Sequence, residues 1–129
     1  MVNEQQRAKR LMGARILVVE DEYYLAADLS RALEDEGAVV VGPVGSLSEA
    51  QASVTAGGFD CAVVDVNLRG IVAHQVAERL GEAGVPFLIA TGYDHASLPE
   101  TLRYAPRVEK PFAAHEVVDR IVNLRTATR

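Results

Sequence analysis

An α/β fold built on a doubly wound parallel sheet is predicted by two features of this 129-residue sequence. Short apolar runs show little alternation, as strands covered on both faces do, and helical stripes fill the gaps between them. Their regular pitch adds a third constraint, because right-handed crossovers admit only a few arrangements of such βα units. The expected strands are Arg15–Glu20, Ala38–Val41, Cys61–Asp65 and Pro86–Ala90, with a weak fifth around Ala105–Glu109.

Each helix has its own signal. Leu25, Leu29, Ala32 and Leu33 follow helical spacing, and Gly37 stands where the first helix would stop. Ser46-Leu47-Ser48-Glu49 reads as a capping box before a stripe of Leu47, Ala50 and Val54, ended by Gly57-Gly58. Val72, Val76 and Leu80 suggest a third stripe closed by Gly81 and Gly84, and Val117, Ile121 and Leu124 a final one. Asp94–Arg103 is a weaker helical segment, interrupted by Pro99. Residues 1–13 are expected to form a frayed or loosely docked extension, and residues 14–126 a single domain.

Composition narrows the function classes. A chain 49% hydrophobic and 24% charged can fold around one core without a staple. The lone Cys61 fits a small buried hydrophobe rather than a disulfide framework. With Lys+Arg 13 against Asp+Glu 18 and a net charge of −5, the chain suits nucleic-acid backbones poorly. No apolar run reaches the ~18–20 residues of a membrane span, and Met1–Arg10 has no signal-peptide core, so a cytoplasmic location is expected. His74, His95 and His115 are far apart and read as surface or rim residues.

In an open parallel sheet, chemistry gathers at the carboxyl ends of the strands. The first strand ends on Glu20-Asp21-Glu22, the third on Asp65 and the fourth on Thr91, while Lys110-Pro111 follows the fifth. Carboxylates converging from two strands repel one another and favour a hard cation, and open water positions suit Mg²⁺. Thr91 adds a hydroxyl donor and Lys110 a positive charge at the same rim. These are parts for holding a phosphoryl group while a carboxylate attacks phosphorus, and Asp65, on the central strand, is the candidate nucleophile.

Ile16–Glu22, Val63-Val64-Asp65, Thr91 and Lys110-Pro111-Phe112 resemble the receiver domain of two-component response regulators over Arg15–Arg125. The resemblance implies a flavodoxin-like sheet of order 2-1-3-4-5 and a phosphoryl group passed to Asp65 from a sensor histidine kinase or phosphotransfer protein. It further implies Mg²⁺ held by Asp21, Asp65 and the backbone carbonyl of Asn67, with Glu20 reaching it directly or through water, and a commonly cis Lys110-Pro111 bond. Output is expected through protein contacts, at the face of the fourth helix region, fifth strand and last helix, or by acting as a phosphate relay or sink. No direct nucleic-acid or membrane partner and no turnover of an outside substrate are expected. Pro86–Tyr93 also resembles receivers with a Phe-Ala-Thr-Gly-x-Tyr motif, except that Ile89 replaces its Phe.

Two departures stand out from the family pattern. Glu20 stands where an aspartate is usual, and Arg107 where many receivers carry a switching aromatic. Tyr93 is therefore a candidate to take over part of the signalling. Two other classes draw on the same residue types. An aspartyl-nucleophile phosphatase resembling haloacid dehalogenases would place its Asp after the first strand rather than the third. A pseudo-receiver binding partners without phosphorylation fits Glu20 and Arg107 but leaves Asp65, Thr91 and Lys110 unexplained.

Overall fold

The computed structural model describes residues 9–92 and 98–127. Its first half runs β1 (Arg15–Val19), α1 (Tyr23–Asp35), β2 (Val39–Val44), α2 (Leu47–Ala56) and β3 (Cys61–Asp65). A short hairpin follows, β4 (Asn67–Leu68) and β5 (Ile71–Val72), then α3 (His74–Glu82) and β6 (Phe87–Thr91). A 3₁₀ turn (Glu100–Leu102), β7 (Arg107–Glu109) and α4 (Ala114–Ala127) complete the chain. The main sheet has order β2-β1-β3-β6-β7, all pairs parallel. Setting the hairpin aside, this is the expected 2-1-3-4-5 order.

Alternate residues of each central strand face opposite helical layers. Ile16, Val18 and Val63 pack with Leu29 and Leu33 of α1 and Val117 and Ile121 of α4. Leu17, Val19, Ala62 and Val64 pack on the other face with Ala50 of α2 and Val76 and Leu80 of α3. Both faces are dry, which is why β1 and β3 read as continuous apolar runs. Cys61 is one of these buried residues, and burial pushes its thiol up to about 11. Ser46 caps α2 as expected: its hydroxyl accepts from Glu49 N–H at 3.2 Å and donates to Glu49 Oε1 at 2.9 Å.

The edge strand β2 extends past Val41, through Gly42-Pro43 to Val44, with a register shift against β1. Proline is tolerated here because the strand's outer side needs no ladder donor. Gly42 has φ +95°, and a Cβ there would lie 2.9 Å from Val44 N and 3.1 Å from Val18 O, so only glycine fits.

The structure corrects several expectations. Val72 belongs to the hairpin, not to the third helix, and is 46% exposed; its spacing to Val76 is coincidental. Of the weak helical segment, residues 98–103 hold only a 3₁₀ turn behind Pro99, and residues 94–97 lie outside the described residues. Of the extension expected over residues 1–13, residues 1–8 lie outside the described residues, and residues 9–13 are docked through Leu11 rather than frayed. Leu11 is fully buried in the α1/α4 core, its N–H donates to Glu36 O at 2.9 Å, and Arg10 pairs with both Glu36 and Asp119 at 3.0 Å. His74 is half-buried, which fits the rim rather than the surface alternative, and its buried Nε2 has no hydrogen-bond partner among the described residues. His115 is exposed as expected, and His95 lies outside the described residues.

Candidate functional site

Strand pairing assembles the site. Val19 of β1 lies opposite Val64 of β3, so the next residues, Glu20 and Asp65, emerge side by side at the carboxyl edge. Asp65 lies opposite Ala90 of β6, which places Thr91 one step beyond it. Thr91 O accepts from Lys110 N–H at 2.9 Å, locking the start of the β7–α4 connection against β6. Lys110-Pro111 is cis, in agreement with the expectation.

Glu20, Asp21 and Asp65 each offer a carboxylate oxygen within 4.8 Å of one another. Glu20 and Asp65 are each only 3% exposed. Lys110 Nζ donates to Asp65 Oδ2 at 2.8 Å and to Glu20 Oε2 at 3.2 Å. Its approach to Glu20 Oε1, at 3.1 Å, is off the line of a hydrogen bond and leaves that buried oxygen without a donor. Backbone amides hold the other oxygens. Asn67 N–H donates to Asp65 Oδ1 at 2.8 Å, Glu22 N–H to Glu20 Oε2 at 3.0 Å, and Arg69 N–H to Asp21 Oδ2 at 2.9 Å.

Electrostatics follow from this crowding. Burial pushes the Glu20 carboxyl up to about 7; the nearby Asp65 charge adds to the rise, while the Glu22 amide and Lys110 oppose it. Burial alone would lower the Lys110 ammonium, but hydrogen bonds and charges from Asp65 and Glu20 outweigh it and raise the group. A single ammonium thus faces a set of carboxylates that includes an orphaned, buried oxygen. All-oxygen donors with unmet negative charge fit a small hard cation such as Mg²⁺.

The site opens into a recess of about 360 Å³ lined by Asp21, Asp65, Asn67, Arg69, Gly92 and Lys110, among others. Of the residues expected from sequence, Glu20, Asp21, Asp65 and Lys110 meet directly. Asn67 stands at the rim and Thr91 is buried at the adjoining strand end. Tyr93 lies outside the described residues. Arg69 was missed. It lies with Gly70 in the two-residue turn between Asn67-Leu68 and Ile71-Val72, where Gly70 is the one turn signal in the sequence, since such turns favour Asn or Asp rather than Arg before the glycine.

At the position of the usual aromatic, Arg107 is half-buried. Its Nη2 donates to Leu102 O at 3.3 Å, Ala105 O at 3.5 Å and Arg103 O, tying β7 to the end of the 3₁₀ turn.

Comparison with known proteins places this arrangement. Residues 16–122 match the family model described as the response regulator receiver domain. SdrG from Sphingomonas melonis Fr1 is similar in structure, with a TM-score of 0.75 and 38% identity over 87% of this chain and 96% of that one. The response regulator TrrA from Thermotoga maritima, solved in complex with Mg²⁺-BeF, has a TM-score of 0.72 and 25% identity over 86% of this chain and 98% of that one. The transcriptional regulatory protein TcrA of Mycobacterium tuberculosis is 44% identical over 84 residues, 64% of this chain. That match spans only 33% of TcrA's length. With the sheet order, the acidic cluster and the lysine in agreement, the chain belongs to the response regulator receiver domain family of two-component systems.

Proposed function

We propose that Asp65 accepts a phosphoryl group from a phosphohistidine of a sensor kinase or phosphotransfer protein. The observation that carries this reading is a buried Asp65 carboxylate, 2.8 Å from Lys110 Nζ and clustered with Glu20 and Asp21. In the transfer, an Asp65 carboxylate oxygen forms the new O–P bond, the P–N bond of the donor breaks, and its electron pair returns to the imidazole. Lys110 offsets charge on the phosphoryl oxygens, and the Thr91 hydroxyl donates to one of them. Glu20, Asp21, Asp65 and the Asn67 carbonyl would hold Mg²⁺, whose charge offsets that of the phosphoryl oxygens when it is bound.

The phosphorylated domain then acts through protein contacts or serves as a relay or sink, with no outside substrate turned over. Preference for protein over nucleic-acid contacts rests on the net charge of −5. TcrA's description as a transcriptional regulator favours a nucleic-acid output for that longer protein. Among the described residues no helix is long and apolar enough to cross a membrane.

Incubation of the full chain with acetyl phosphate and Mg²⁺, followed by intact mass measurement, tests the reading. One added phosphoryl group on the wild type and none on Asp65→Asn is the expected result. Equal gain in both would move the acceptor elsewhere, and gain in neither would leave a phosphorylation-independent binding module.

A further inference from the structure

Arg69 adopts a backbone conformation that its side chain does nothing to ease. Arg69 and Gly70 form the two-residue turn of the β4–β5 hairpin, with φ of +54° and +82°. Such turns favour Asn or Asp before Gly, and another L-residue costs roughly 1 kcal/mol there. The turn is nonetheless pinned: Gly70 N–H donates to Asn67 Oδ1 at 2.8 Å, and Arg69 N–H to Asp21 Oδ2 at 2.9 Å. A costly residue held at a functional rim calls for a role in the site rather than in the turn.

Its position supplies one. Arg69 and Lys110 are the cations among the described residues lining the recess over Asp65. Lys110 is already engaged, at 2.8 Å from Asp65 and 3.2 Å from Glu20. An incoming phosphoryl group brings more negative charge to a recess already walled by Asp21, Glu22 and Asp65. A guanidinium fork matches phosphoryl oxygens two at a time, as an ammonium does not. We infer that Arg69 binds the phosphoryl oxygens of the incoming donor, as a second cation beside Lys110. This inference rests on Asp65 being the acceptor, and it assigns Arg69 to donor capture rather than to the bond-making step.

The turn itself provides a clean test. Asn suits the left-handed position better than Arg, so Arg69→Asn removes the charge without harming the hairpin, and its Tm should equal or exceed that of the wild type. With acetyl phosphate and Mg²⁺ as the probe, Arg69→Asn should raise the half-saturating donor concentration about tenfold, leave the saturated loading rate nearly unchanged, and lose its difference from wild type as salt is added. Arg69→Lys should fall between the two. Identical donor dependence in wild type and Arg69→Asn would overturn the inference.

A second measurement separates it from the acceptor assignment. Inorganic phosphate, titrated with Mg²⁺ present, should shift the Gly70 and Gly92 amide resonances in the wild type and much less in Arg69→Asn. Arg69-dependent shifts without phosphoryl gain would sink the assignment of Asp65 and leave the anion site standing. Equal shifts in both proteins, or none in either, would remove the Arg69 role.

Discussion

The Lys110 ammonium sits 2.8 Å from Asp65 Oδ2 while also reaching Glu20, so one cation serves two buried carboxylates that arrive from different strands. Removing it leaves both without their counter-charge. Breaking a buried ion pair from one side costs about 3–5 kcal/mol, and Lys110 is 26% exposed, which softens the loss. Lys110→Ala should therefore destabilise the metal-free protein by about 1–3 kcal/mol near pH 8. The loss should shrink near pH 5 as Glu20 takes up a proton. Urea unfolding at the two pH values checks this, and an equal loss at both would show that Glu20 does not share the ammonium.

Glu20 gives the site its own pH dependence. Its carboxyl is raised from 4.5 to about 7 in the fold, mainly by burial, so the folded state favours the protonated form. The stabilisation from protonation is fully present below about 4.5 and is lost as pH rises through about 7. Without divalent ions, raising the pH from about 5 to about 8 should cost on the order of 1–2 kcal/mol, after discounting for water at the site. Glu20→Gln should flatten the dependence and raise the Tm near pH 8. A wild-type Tm that climbs across this range, with Glu20→Gln unchanged beside it, would contradict the assignment.

Much of the site was legible because strand termini are easy to locate. Three dry strands ending in Glu20-Asp21, Asp65 and Thr91 need only the parallel order to converge, and right-handed crossovers supply that order. The hairpin was not legible by helical spacing, because Val72 falls four residues before Val76 and mimics a helix turn. The docking of residues 9–13 escaped for a similar reason. Leu11 and Met12 are adjacent apolar residues in a polar stretch with no period to tell them apart, and only packing against α1 and α4, remote in sequence, buries the first and leaves the second exposed. Arg107 was visible as a departure from the family pattern, but its partners are carbonyl oxygens, and those leave no trace in side-chain identity.

Arg107 makes a prediction of its own. Its Nη2 gathers the carbonyls of Leu102, Arg103 and Ala105 around the end of the 3₁₀ turn. Charge-assisted bonds of this kind contribute about 1.5–3 kcal/mol when formed singly, less when one nitrogen is shared. Arg107→Ala should cost about 1–2 kcal/mol of stability and speed hydrogen exchange locally at Leu102 and Ala105. Restoration of most of the protection in Arg107→Lys would show that the positive charge is what holds the turn. Unchanged exchange at those amides in Arg107→Ala would show that the contacts hold nothing in place.

Leu11 tests the attachment of the leading segment. The side chain is fully buried against the α1/α4 core, whereas its neighbour Met12 is 69% exposed. Truncating a buried leucine to alanine costs about 2–5 kcal/mol, and more where the surroundings cannot collapse. Leu11 is flanked by exposed Lys9, Arg10, Met12 and Gly13, which leaves its surroundings room to relax, so Leu11→Ala should cost about 2–3 kcal/mol by urea unfolding. Met12→Ala should stay within about 0.5 kcal/mol. Arg10→Ala should lose less than about 1 kcal/mol, because its pairs with Glu36 and Asp119 lie at the surface, where Arg10 is 44% exposed. If Leu11→Ala and Met12→Ala unfold at the same urea concentration, residues 9–13 are not part of the core. If Leu11→Ala alone is destabilised, truncation to Ala14 should reproduce at least its loss, because that deletion removes Leu11 and the bond from its N–H to Glu36 O together.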